Sequence, residues 1–174
     1  MGYTRNTSSV QWRYFENIKN EYDVIVNDDG SGESADLVGL KVMDDGILLA
    51  LIHAKYSASG DPGARLKDLY EVCGQAQRCV RWKHLNLNYL YHHIKRREER
   101  WRARDCSRFL KGTVKDFAAI RDRSRTMPLK FHVEIVQPGL SKAQITDEGL
   151  RLLGSTALYI KKTTMAELSV VCSA

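Results

Sequence analysis

The run Leu48-Leu49-Ala50-Leu51-Ile52-His53-Ala54-Lys55 is apolar except for an imidazole and an amine at its end. Groups of that kind are costly to bury unless they have partners or a use. Leu37 to Met43 and Ile47 to Lys55 read as two strands, with Asp45-Gly46 between them as a strong hairpin signal. With those two residues as the turn, Asp44 pairs with Ile47, Val38 lies opposite His53, and Asp36 lies opposite Lys55. Side chains alternate with period two, so Asp36, Val38, His53 and Lys55 share one face. Opposed Cβ atoms stand roughly 4.5–5.5 Å apart. A carboxylate, an imidazole and an amine are thus expected to meet at one end of a hairpin. A bulge would shift the pairing.

The flanks supply the rest of an α/β order. Ser8 or Ser9 can cap a helix to about Asn20, with Trp12, Phe15, Ile18 and Tyr22 at helical spacing. Tyr22 to Val26 reads as a strand, and Asn27-Asp28-Asp29-Gly30-Ser31-Gly32 as a polar loop. Asp61-Pro62 looks like a cap and first helical position, opening a helix with Leu66, Leu69, Tyr70, Cys73, Ala76 and Val80 on one stripe. Phe131 to Val136 is a fourth strand, and a helix from Thr146 or Asp147 to about Lys161 precedes a last strand, Glu167 to Cys172.

A chain of 174 residues is most simply one domain, with core enough to fold alone. No apolar stretch is long enough to cross a bilayer, and no secretory signal is present, which excludes a membrane role and points to the cytoplasm. Cys73, Cys79, Cys106 and Cys172 form no Cys-x-x-Cys pair and read as reduced, buried thiols. The net charge of +6 is unevenly placed. Residues 1–77 carry seven basic and twelve acidic groups, whereas residues 78–130 carry sixteen basic and five acidic ones. Acids that hold a cation and a separate surface that holds a polyanion would divide charge in this way.

The stretches Tyr22-Asp23-Val24-Ile25, Gly32-Glu33-Ser34-Ala35-Asp36-Leu37-Val38, His53-Ala54-Lys55-Tyr56-Ser57 and Asp68 to Gln77 carry a resemblance. Over about residues 8–137 the chain resembles the PD-(D/E)XK, or restriction-endonuclease-like, nuclease superfamily. It also looks like the nuclease-like domain at the end of some bacterial DEAD/DEAH-box helicase proteins. The resemblance implies an αβββαβ core, a mixed sheet flanked by helices. Residues 78–130 would be a basic, partly helical insertion, and a helix and strand would extend the C-terminus. It further implies metal-dependent cleavage of DNA, Mg²⁺ or Mn²⁺ as cofactor, a helicase domain or subunit as partner, a role in bacterial defence or DNA processing, and a homodimer as one assembly.

Residue by residue, Asp36 matches the metal-binding Asp, and Lys55 the Lys that positions the attacking water. His53 departs from the pattern, standing where a second acid belongs; some methyl-directed nucleases carry Gln there. Gln75 lies on the helix where some members place a Gln near the substrate. Mg²⁺ prefers oxygen ligands, so Asp36, the Ala54 carbonyl and Glu33 are candidate ligands, with His53 better suited to Mn²⁺ or a later metal. Glu16 is a second candidate for the missing carboxylate, ranked after Glu33.

Each site residue has a plainer reading. Asp36 with Lys55 could be a cross-strand ion pair worth under about 1 kcal/mol if exposed. His53 could be a structural histidine, and Glu33 a loop acid. Arg78, Arg81, Lys83, Lys95, Arg96, Arg97, Arg100, Arg102 and Arg104, interleaved with Trp82, Tyr89, Tyr91 and Trp101, suit phosphate contacts and base stacking. A solvated face, or a surface for an acidic partner, competes with that. Three function hypotheses follow: a DNA endonuclease, an inactive nuclease-like module that binds nucleic acid, and a metal-independent ribonuclease using His53 and Lys55. Gly30-Ser31-Gly32 lacks the Gly-Lys-Ser/Thr ending of a phosphate loop, and the His and Cys spacings fit no zinc finger.

Overall fold

The computed structural model describes residues 6–56 and 65–172. Helix α1 (Val10–Ile18) is capped by Ser9, whose hydroxyl accepts from the Trp12 N–H at 3.1 Å. Strands β1 (Val24–Asn27), β2 (Leu37–Met43) and β3 (Gly46–Ala54) follow as an antiparallel meander. Helices α2 (Leu66–Cys79), α3 (Arg81–His84) and α4 (Leu87–Arg102) come next, then β4 (Phe109–Lys111) and α5 (Val114–Arg123). Strand β5 (Leu129–Gln137), helix α6 (Asp147–Thr164) and strand β6 (Leu168–Cys172) complete the chain. The six strands form one mixed sheet in the order β4-β1-β2-β3-β5-β6. β5 runs parallel to β3, and β6 parallel to β5.

The sheet is covered on both faces, which is why β3 reads as an unbroken apolar run. One face packs Ile25, Leu37, Ala50 and Ile52 against Phe15 and Ile18 of α1. The other packs Val38, Leu40, Leu49, Leu51 and Ile135 against Val72, Cys73 and Ala76 of α2, Leu90 and Ile94 of α4, and Phe117 of α5. Tyr70 is 61% exposed and so leaves the stripe assigned to it. The helix cap expected at Asp61-Pro62 lies outside the described residues. Cys73 and Cys79 are buried as expected, but Cys106 is half-buried and Cys172 exposed. No helix among the described residues is long and apolar enough to cross a membrane.

Two expectations need correction. Asp44-Asp45, not Asp45-Gly46, is the hairpin loop: Met43 pairs with Gly46, Val42 with Ile47, and Val38 with Leu51. Gly46 belongs to the strand because the chain entering β5 lies against it. A Cβ at Gly46 would stand 2.7 Å from the Pro128 carbonyl oxygen, which also accepts the Ile47 N–H at 2.9 Å. The register slips by two residues, so every side chain keeps its face. The basic segment, secondly, contributes a strand: β4 pairs antiparallel with β1 at the edge of the sheet.

Candidate functional site

The corrected register changes who faces whom. Leu37 pairs with Ile52, so the next step of the ladder sets Asp36 across from His53 rather than Lys55. Asp36 is 5% exposed and sits at the mouth of the loop between β1 and β2. Its Oδ2 accepts from the Ala54 N–H at 2.9 Å, and its Oδ1 from the Gln11 amide of α1 at 3.3 Å. Carboxylate oxygens of Asp29, Glu33 and Asp36 lie within 4.8 Å of one another. Glu33 is held in place from both sides: Oε2 accepts the Gly30 N–H at 2.8 Å, and Oε1 the Gln75 amide at 3.2 Å. Gly30 and Gly32 take φ of +110° and +79°, which lets the loop fold back over the end of β2.

Crowded acids carry an electrostatic cost. Burial, with the Glu33 and Asp29 charges added and the Ala54 N–H opposing, pushes Asp36 up to about 7. Burial also raises Glu33, helped by Asp29 and Asp28 and opposed by the Gly30 N–H. A cation would relieve that repulsion. The donor set, three carboxylates, suits a hard divalent ion such as Mg²⁺ or Mn²⁺.

The other expected residues are placed differently. His53 is outside the group of three acids. It is 2% exposed, and neither ring nitrogen has a hydrogen-bond partner among the described residues. Burial, with the Arg78 charge beside it, pulls its pKa down to about 4, so the ring is neutral at physiological pH. Ala54, expected to offer its carbonyl, meets Asp36 through its N–H, which donates at 2.9 Å. Lys55 Nζ pairs with Glu71 of α2 at 2.7 Å. Glu16 pairs with Lys19 on the exposed side of α1 and takes no part. His53, Glu33, Gln75, Arg78, Arg81 and Trp82 do share one cleft of about 420 Å³.

The basic segment divides its arginines between surface and interior. Arg97 turns inward: Nε pairs with Asp28, and the guanidinium donates to the carbonyls of Ser31 (2.8 Å), Asp28 (2.8 Å) and Asp29 (3.1 Å). Asp28 is fully buried; its Oδ2 also accepts from the Ser34 N–H and hydroxyl, both at 2.7 Å, and lies 3.0 Å from His93 Nε2. Arg108 donates to the Asn27 carbonyl at 2.8 Å and stacks on Trp101 at 4.1 Å. Lys83, half-buried, donates to the Leu129 carbonyl at 2.8 Å. Arg102 pairs with Glu98 at 2.7 Å, Lys95 approaches Glu99 at 3.9 Å, and Arg96 donates to the His92 carbonyl at 3.4 Å. Arg100 and Arg104 line a second cleft with Trp101, on the other side of Gly30-Ser31.

Asp28, Asp29 and His93 were missed as site residues. Asp29 had a signal, since it stands in the same short polar loop as Glu33. No protein-family model, curated protein or solved structure matches the chain.

Proposed function

We propose that this protein is a metal-dependent endonuclease that cleaves DNA, with Mg²⁺ or Mn²⁺ held by Asp36, Glu33 and Asp29. The observation that carries this is the set of three carboxylates gathered within 4.8 Å at the end of the β2–β3 hairpin. With α3, α4, β4 and α5 set aside as the basic insertion, the remaining order α1-β1-β2-β3-α2-β5 supports the αβββαβ core that the resemblance implies. A bound divalent cation would supply charge stabilisation at the phosphate and a more acidic water.

The chain's own groups have distinct parts. Asp36 is fixed by Ala54 and Gln11, so one rigid carboxylate would anchor the ion. Glu33 and Asp29 take the place of the acid that His53 replaces. Lys55 holds a half-exposed partner, Glu71, in a pair of the kind worth little in water. It can exchange that partner for a phosphate oxygen and for the water that attacks it. His53, neutral and buried, would stand outside the ion's ligand set and lines the neighbouring cleft. The exposed arginines of residues 78–104 hold the phosphate backbone. A helicase as fused or separate partner, and bacterial defence as the setting, come from the resemblance alone.

The second reading, a nuclease-like module that binds nucleic acid without cutting it, is favoured by the imidazole in place of an acid. Plasmid and linear DNA incubated with the purified protein distinguish the two. Cleavage is expected with Mg²⁺ or Mn²⁺, falling about 100- to 1,000-fold in Asp36→Ala, the several kcal/mol a lost metal ligand implies. Lys55→Ala should slow cleavage and leave DNA binding in place. Intact DNA with both cations, alongside retained binding, would establish the module instead. Activity on RNA that survives EDTA would point to the metal-independent chemistry.

A further inference from the structure

The cleft beside the three acids has more donors than it can satisfy. Arg78 closes α2 and Arg81 opens α3; both are exposed, and neither is ion-paired or hydrogen-bonded to a described residue. Arg81 lies only over the Trp82 ring, 5.0 Å from its centroid. The Trp82 indole N–H and the His53 ring are buried without a hydrogen-bond partner among the described residues. The cleft's carboxylate, Glu33, is already occupied by Gly30 and Gln75. Native proteins seldom leave buried groups such as the indole N–H and the imidazole unanswered, and the two exposed guanidinium groups beside them have solvent, not a described residue, as hydrogen-bond partner. What fits is a ligand rich in acceptors and negatively charged.

We propose that this cleft takes the phosphate monoester at the end of a nucleic-acid strand, with Arg78 and Arg81 on its oxygens. This deepens the nuclease reading, on which it rests, by naming a strand end as the group recognised. Two guanidinium groups match the doubly charged monoester better than the single charge of an internal phosphodiester. The volume, about 420 Å³, exceeds what a bare phosphate needs and leaves room for the attached nucleoside. Glu33 belongs both to this cleft and to the acid group, so a captured end would lie directly beside the proposed ion.

Fluorescence anisotropy in EDTA tests this without any cleavage. The probe is a short 3′-labelled single strand carrying either a 5′-phosphate or a 5′-hydroxyl, with a 3′-phosphorylated strand labelled at its other end as a second pair. One phosphorylated strand should bind about tenfold tighter than its hydroxyl counterpart, the worth of one good charge-assisted contact. Combining Arg78→Ala with Arg81→Ala should erase that difference, and dTMP should compete where thymidine does not. Equal affinity for phosphorylated and hydroxyl strands of both polarities overturns the proposal, as does equal competition by thymidine. If dTMP binds more tightly than any strand, the cleft serves a free nucleotide and the strand-end assignment falls. Asp36→Ala separates the two claims: it should keep the end preference while losing cleavage, whereas a wild type that cleaves but shows no end preference sinks only the cleft.

Discussion

Asp28→Ala is expected to cost about 3–5 kcal/mol of stability, the usual penalty for breaking a buried, hydrogen-bonded charge pair from one side. The carboxylate is wholly enclosed and answers Arg97, His93 and both polar hydrogens of Ser34. Alanine strands the Arg97 Nε inside the fold and unties the loop that carries Asp29 and Glu33. Burial alone would raise the Asp28 pKa, but the bonds from His93 and Ser34 and the Arg97 charge hold it below the ordinary value. A depressed carboxylate contributes stability above its unfolded pKa and loses it as pH falls through the folded one. The deficit of the variant should therefore be full at pH 7 and shrink only in strong acid. Urea unfolding across that range measures it. Arg97→Ala and the double variant should fall well short of additivity, since both remove one network. A loss under about 1 kcal/mol at pH 7 would mean the network is not holding the loop.

The opposite sign is expected at Asp36. Without divalent metal at pH 8, Asp36→Asn should be more stable than the wild type by about 4 kcal/mol, the worth of a shift of this size. Burial raises this carboxyl to about 7, so the charged form is the unfavourable one in the folded state. A raised acid contributes its stability at low pH and gives it up as pH climbs through the folded value. The gain from asparagine thus appears between about pH 4 and 8 and is absent below. Asparagine still offers an oxygen to the Ala54 N–H, so the backbone contact survives. Millimolar Mn²⁺ or Mg²⁺ should reverse the order, because an ion that binds only the folded wild type stabilises it by mass action. Thermal melts with EDTA and with each cation read both effects. An asparagine variant that is less stable at every pH would make Asp36 a plain structural acceptor.

The hairpin's faces could be read from residue alternation, but its register could not. The slip of two residues came from Pro128, far along the chain, pressing on Gly46 and drawing it into the strand. Asp36 and Glu33 stood out because they flank an apolar strand and share a short loop. Asp28 did not, since two adjacent acids look alike until a helix more than sixty residues later offers one of them a guanidinium. The inward turn of that guanidinium was nonetheless encoded. Leu87, Leu90, Tyr91, Ile94 and Glu98 form the buried stripe of α4, and Arg97 falls on it by the same helical spacing. Charge density across the segment masked the period. Strand β4, three residues among arginines, offered no alternation to read. The Lys55 contact with Glu71 joins the residue after β3 to helix α2, sixteen positions on, a geometry that no local pattern specifies.

The internal anchoring of Arg97 and Lys83 has a bearing on ionic strength. Of the nine cations assigned to the polyanion, those two are tied to carbonyls of distant segments, leaving at most seven to displace counterions. The logarithm of affinity for duplex DNA should then fall with the logarithm of salt no more steeply than about −6. The segment's nominal charge overstates how tightly it can grip.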